Sequence, residues 1–235
     1  MDRIAAVALD VGETLIDETR IWCRWADRLG VTRFTMLGVL GAMAALDRPH
    51  ADAFQIVRPG IDVAAELARW QADDPGGLRA DFDAADLYPD VRPCLAALRQ
   101  SGRRVIIAGN QPPQARAALE AMELEVDAIL ISDELGLHKP EPAFFAAVIE
   151  AAGVPPAQIA YVGDRVDNDL LPAGRAGLRT VLLRRGPWGY LHAERPDAEL
   201  ADIVTDALAD LARLLDEVTS AWGKSTEPRW LPTQK

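Results

Sequence analysis

The sequence predicts an α/β fold: a doubly wound parallel sheet, a Rossmann-like core, carrying a small all-helical cap domain. Two observations predict the sheet. Short continuous apolar runs recur along the chain, the form taken by parallel strands buried on both faces. From residue 90 onward these runs alternate with helical patterns, the order of a parallel sheet covered by helices. A third observation predicts the cap, because residues 18–88 carry helical patterns alone, placed between the first apolar run and the second.

Taken in chain order, the first strand is "RIAAVALD" (3–10), which leads into a tight turn at Gly12. Cap helices are predicted over about 18–30, 32–46 and 61–72, separated by "DRPHAD" and "ADDPGG". The core resumes with a helix at 92–102 and the strand "RRVIIAG" (103–109), then a helix at 113–123 and the strand "DAILIS" (127–132). A helix at 142–153, the strand "IAYVGD" (159–164), a helix at 168–177 and the strand "LRTVLL" (178–183) complete the alternation. Several of these helices stop at glycine, as helix C-termini commonly do. A last helix is expected near 205–217, followed by a loosely held tail, "STEPRWLPTQK". The predicted domains are therefore a core of residues 1–17 and 89–235 and a cap of residues 18–88.

A chain of 235 residues suits one domain with a smaller insertion. Its net charge of −11 argues against nucleic acid or an anionic membrane as partner, since both demand a basic face. No apolar run reaches a membrane span of roughly 18 residues, and "MDRIAAVALD" enters a strand directly rather than reading as a signal peptide. Cys23 and Cys94 make no disulfide scaffold, which fits a reducing cytoplasm. Of the basic residues 22 are Arg and 3 are Lys, and Lys139 is the only lysine before the last dozen residues.

In open parallel sheets ligands gather at the carboxyl ends of the strands. The first strand ends at Asp10, the second at Gly109 and Asn110, and the fourth at Gly163 and Asp164, with Asp167, Asn168 and Asp169 following. Lys139 lies after the third strand, ahead of a helix. Singly, each is an ordinary turn or cap residue. Their order at the ends of successive strands points instead to one crevice. Asp10, Asp164 and Asp169 make a hard-oxygen site for Mg²⁺, and Lys139 can neutralise charge on a transferred phosphoryl group.

With these motifs in order, "ALDVGETLID", "LYPDVRPCLAALRQSGRRVIIAGNQ", "ISDELGLHKPEPAFF" and "YVGDRVDNDLLPAGRAGLRTV", the chain resembles the haloacid dehalogenase-like hydrolase superfamily over nearly its whole length. The resemblance implies Asp10 as a nucleophile that forms an aspartyl intermediate and Lys139 as the charge-neutralising lysine. It implies Asp164 as a metal ligand supported by Asp169, with the backbone carbonyl of Gly12 as a further ligand. Gly109 and Asn110 take the phosphoryl-binding positions. The expected substrate is a small phosphorylated metabolite and the expected assembly a monomer or homodimer.

Two positions depart from the phosphatases of that family. Gly12 stands where they carry an Asp that acts as general acid and base, and Gly109 where they carry a Ser or Thr. General acid–base help contributes typically 10²–10⁴-fold, so its loss predicts a weaker enzyme or one restricted to good leaving groups. Glu13, one position along, is either a substitute base or a cap on a nearby turn. Dehalogenation needs no acid, but the family's dehalogenases lack the metal site that "GDRVDND" keeps. Phosphonate cleavage needs a cap lysine, and residues 18–88 have none. A mutase needs the missing acid. A non-catalytic binding or regulatory module is the reading from another class. In the cap, Trp22, Trp25 and Trp70 read as core in preference to a substrate platform, and Arg20 and Arg24 as contacts for an anionic substrate or for Glu13, Asp17 or Glu18.

Overall fold

The computed structural model describes residues 3–74 and 82–222, with side chains to residue 219. The predicted tail lies outside the described residues, as does part of the "ADDPGG" separator. The chain opens with β1 (Ala6–Leu9) and passes into four helices, α1 (Thr19–Leu29), α2 (Arg33–Ala45), α3 (Asp52–Val57) and α4 (Val63–Asp73). It returns through α5 (Val91–Gln100), β2 (Arg104–Gly109), α6 (Gln114–Ala121) and β3 (Ala128–Ile131). A short α7 (Ser132–Leu135) and α8 (Pro142–Ala152) lead to β4 (Ile159–Gly163). One wide turn of π-helix, Val166–Leu170, precedes α9 (Leu171–Arg175) and β5 (Arg179–Leu183). The last elements are α10 (Gly186–Ala193), β6 (Ile203–Thr205) and α11 (Leu211–Trp222).

All strand pairs are parallel, in the order β3-β2-β1-β4-β5-β6. Strand order therefore reverses at β1, and the crevice beyond the carboxyl ends of β1 and β4 is where such a sheet receives ligands. Alternation along β1 divides the core. Val7 and Leu9 face one layer with Leu95 and Leu98 of α5 and Leu211 and Leu215 of α11. Ala6 and Ala8 face the other, where Phe144, Phe145 and Val148 of α8 pack. Small residues on the strand leave room for the two phenylalanines, and the whole set is fully buried.

Beyond β1 the chain makes one tight turn, in which the N–H groups of Leu15 and Ile16 donate to the Val11 carbonyl at 2.9 and 3.0 Å. The turn is tied to the segment entering α5, since Tyr88 N–H donates to Leu15 O at 3.0 Å and Asp17 N–H to Asp86 O at 2.8 Å. This tie sets the direction in which α1 leaves the sheet. The cap has its own apolar centre of Trp22, Trp25, Met36, Leu40, Phe54 and Trp70, joined by Trp188 of α10. The tryptophans thus pack as cap core, as the sequence pattern suggests. Arg20 is drawn away from any anionic substrate, because its guanidinium pairs with Asp86 and, at 2.9 Å, with Asp83.

Four elements were not evident in the sequence, among them the one-turn α7 that directly follows β3. α3 lies in a stretch between predicted helices, while α10 and β6 occupy the region between the strand at 178–183 and the last helix. The helix expected at 168–177 starts as the π turn and becomes regular from Leu171. The last helix runs later than expected, over Leu211–Trp222.

Candidate active site

The residues predicted from the strand ends meet in one cavity of about 380 Å³, lined by Asp10, Gly12, Asn110, Lys139 and Asp164 among others. Asp10 follows β1 and its N–H donates to Val162 O of β4 at 2.9 Å, which holds it at the strand junction. Lys139 Nζ lies 2.7 Å from Asp10 Oδ1 and 2.6 Å from Asp169 Oδ1. Burial works against the lysine's charge, but the two carboxylates outweigh it and hold its pKa well above the ordinary value. Asn110 fixes the lysine's backbone: its Nδ2 donates to Lys139 O at 2.9 Å, and Lys139 N–H donates to its Oδ1 at 2.8 Å.

Asp10, Asp164 and Asp169 are buried, and one ligand oxygen from each lies within 4.8 Å of the others. Burial, then the charges of Asp169 and Asp10, push the Asp164 carboxyl far above the ordinary carboxylate range. Burial likewise raises Asp169, with the Lys139 charge opposing it. Three buried carboxylates facing one ammonium leave a negative excess that the protein's own groups do not neutralise. This donor set is all hard oxygen, and it fits Mg²⁺. The π turn delivers Asp169 into the cluster, with Arg165 N–H donating to its Oδ2 at 3.1 Å. Asp167 instead chelates the Arg165 guanidinium at 3.1 and 2.7 Å.

Two glycines of the site are crossed closely by carboxylates. A Cβ at Gly109 would come within 2.8 Å of Asp10 Oδ1 and 2.9 Å of Val11 Cγ2. The hydroxyl side chain expected there in phosphatases therefore has no room beside Asp10 as it stands. A Cβ at Gly12 would overlap Oε1 of Glu18 and lie 2.9 Å from its Cδ.

Glu18, and not the adjacent Glu13, brings its carboxyl against Gly12. Glu13 takes a positive φ of 50°. Its Oε1 accepts from Glu18 N–H at 2.9 Å and its Oε2 from Tyr88 OH at 2.6 Å, so it caps α1 and ties it to the core. Of the two roles considered for Glu13, these contacts are those of the cap. Glu18, at the start of α1, turns its carboxyl into the cavity over Gly12, and Trp22 Nε1 donates to its Oε2 at 3.1 Å. Burial, then the charge of Glu13, push Glu18 up to about 7.

Sequence reasoning also missed the far wall of the cavity. His50 comes from the turn before α3, with its ring edge-on to Trp22 and Trp188 at 5.6 and 6.4 Å. Burial holds its imidazole below the ordinary pKa, so it is neutral at pH 7. Arg165 lies 5.0 Å over the Trp188 ring. For Glu18 a signal existed, a glutamate four residues before Trp22 at the first turn of a helix leaving the catalytic loop. For His50 there was none, because its approach depends on how the cap folds back.

A family model for haloacid dehalogenase-like hydrolases matches residues 4–177. The chain belongs to that family, whose members are hydrolases built on this sheet. It is 33% identical over 221 residues to phosphoglycolate phosphatase of Vibrio vulnificus, covering 88% of this chain and 94% of the relative. It is 27% identical over 200 residues to (S)-2-haloacid dehalogenase 4A of Burkholderia cepacia, covering 79% of this chain and 85% of the relative. With several other curated relatives, phosphatases of glyceraldehyde 3-phosphate, phosphoserine and phosphoglycolate, the match spans about half of their length. Among solved structures, a dehalogenase with an intermediate complex superimposes with a TM-score of 0.63 at 22% identity, over 91% of this chain and 98% of that one. At that identity the likeness speaks for the fold.

Proposed function

We propose that this hydrolase is a magnesium-dependent phosphatase of a small phosphorylated metabolite, acting through a phospho-Asp10 intermediate. The observation that carries the reading is the buried triad of Asp10, Asp164 and Asp169. Displacement of a halide needs neither a metal nor an acid, and Asp164 buried beside Asp10 would then be a standing cost. Phosphoryl transfer uses such a group. Asp10, Asp164 and the Gly12 carbonyl would hold Mg²⁺, with Asp169 in support. When bound, the ion would neutralise charge on the phosphoryl oxygens.

In this reading Asp10 is the nucleophile, held in place by Lys139, whose ammonium also faces the transferred group. Asn110 acts by gripping the Lys139 backbone, and Gly109 gives Asp10 the space it occupies. Within the proposed cap of 18–88 and core of 1–17 and 89–235, the described helices α1–α4 stand over the site, and Pro49 and His50 line the cavity. A volume of about 380 Å³ suits a metabolite of a few carbons rather than a polymer.

The test is hydrolysis of p-nitrophenyl phosphate, phosphoglycolate, glyceraldehyde 3-phosphate and phosphoserine by the full chain, with Mg²⁺ and with EDTA, beside Asp10→Asn. Turnover that requires Mg²⁺ and disappears in Asp10→Asn is the expected outcome. Halide release from a 2-haloacid in EDTA, without phosphatase activity, would replace this reading with dehalogenation. No Asp10-dependent turnover of either kind would leave the fold serving as a binding module.

A further inference from the structure

The geometry points to Glu18 as the general acid and base of this site, supplied from the first turn of the cap in place of the side chain that Gly12 lacks; this rests on the phosphatase reading above. A Cβ at position 12 would clash with Oε1 of Glu18 and lie 2.9 Å from its Cδ, so the carboxyl sits against the place from which an acid at that position would act. It lines the same cavity as Asp10, Lys139 and Asp164. Trp22 Nε1 holds Oε2. Among the described residues no donor engages Oε1, the oxygen over Gly12. Glu13 does not compete for the role, since Tyr88 and the α1 N-terminus engage its two oxygens.

The glycine and the glutamate are thus one arrangement. A side chain at position 12 would expel the Glu18 carboxyl, and Glu18 reaches the cavity because position 12 is bare. The acid has moved from the catalytic loop to the cap.

The proton path balances. An Asp10 oxygen attacks phosphorus, and the bond to the ester oxygen breaks with its electron pair going to that oxygen. Glu18, protonated, gives its proton to the same oxygen, leaving an alcohol, an aspartyl phosphate and the Glu18 carboxylate. A water oxygen then attacks phosphorus while Glu18 takes the water's proton. The bond from phosphorus to Asp10 breaks, phosphate leaves, and both side chains return to their starting states.

The test is Glu18→Gln, which keeps an acceptor for Trp22, assayed on p-nitrophenyl phosphate and on a simple alkyl phosphate. Steady-state turnover of the alkyl ester should fall by about 10²–10⁴-fold. With the aryl ester the first step needs no acid. The variant should therefore show a burst of nitrophenol near one equivalent per enzyme, then slow turnover as the aspartyl phosphate waits for a base. Wild type should show neither the burst nor the strong preference for the aryl leaving group that Gly12 alone would predict. Moving the acid back, as Glu18→Ala with Gly12→Asp, should recover at least about tenfold over Glu18→Ala, within the range acid–base help supplies.

Wild-type-like turnover in Glu18→Gln would overturn the assignment. So would an equal loss on both esters with no burst and no recovery in the double variant, which is the signature of a structural role. Wild-type phosphatase activity that requires Asp10 preserves the phosphatase reading in both of those cases. Its absence removes that reading and the assignment of Glu18 together.

Discussion

Lys139 sits between two carboxylates, 2.7 Å from Asp10 and 2.6 Å from Asp169, with Asp164 in the same buried group. Its side chain is about 1% exposed, so its charge is not screened by water. Removing one partner from a buried ionic group costs roughly 3–5 kcal/mol, because the remaining charges lose their compensation. Lys139→Met keeps the length and deletes the charge. It should lose about that much stability in urea titrations with EDTA, and Mg²⁺ should recover part of the loss while activity stays absent. Wild-type stability in EDTA would mean that the carboxylates share protons and do not need the lysine. Arg165 shows the contrast: its guanidinium is paired with Asp167 and stacked on Trp188, so its charge reaches Asp164 without a hydrogen bond to the triad from its side chain.

At the scale of elements, the strand exits are built from bare backbone crossed by acids. Gly163 ends β4, and a Cβ there would lie 2.7 Å from the Cβ of Asp169 and 2.5 Å from its Cγ. The π turn can bring Asp169 back across the strand because nothing projects at Gly163. Gly163→Ala should push Asp169 away from Lys139 and the triad, lowering Mg²⁺ affinity by tenfold or more, about 1.4 kcal/mol. Isothermal titration of the EDTA-treated protein with Mg²⁺ would show it, and unchanged affinity would mean that Asp169 is not needed near the ion. The sequence made one half of this arrangement legible. Asp10, Lys139, Asp164 and Asp169 each follow an apolar run, and strand topology alone brings such positions to one edge. Gly12 and Gly109 read in sequence as losses. Only the packing shows carboxylates lying across them, since which side chain fills a bare position is settled by tertiary approach. The missed elements have a similar cause: β6 is three residues long and α10 begins "GPWG", too short and too glycine-rich for periodicity to register.

For the whole molecule, the negative excess of the site couples folding to pH and to the metal. Asp164 and Asp169 hold their protons more tightly in the folded chain than in the unfolded one, Asp169 up to about 6 and Asp164 well above the ordinary carboxylate value. Above the ordinary carboxylate value near 3.8, the folded state therefore binds more protons than the unfolded state, and their contribution to stability falls as pH rises through that window. His50 and His192 act in the opposite sense, because burial lowers their pKa values in the fold and neutralising them at higher pH favours it. Acids held low, Glu134 by Arg116 and Asp127 against its burial by the Val105 N–H and then Arg99, are ionised in both states above about pH 5 and drop out. Glu18, pushed up to about 7 in the same cavity, adds to the fall with rising pH, so the triad's share is read as the shift that Mg²⁺ produces in the Glu18→Gln background. The Mg²⁺-induced rise in Tm should be larger at pH 8 than at pH 5 by about 5 °C, given that 1 kcal/mol moves Tm by roughly 2–4 °C at this size. Asp164→Asn should flatten that dependence by removing one of the two acids that burial raises. An equal Mg²⁺ shift at both pH values would mean that the triad is already ionised at pH 5 and that Lys139 balances it without a metal.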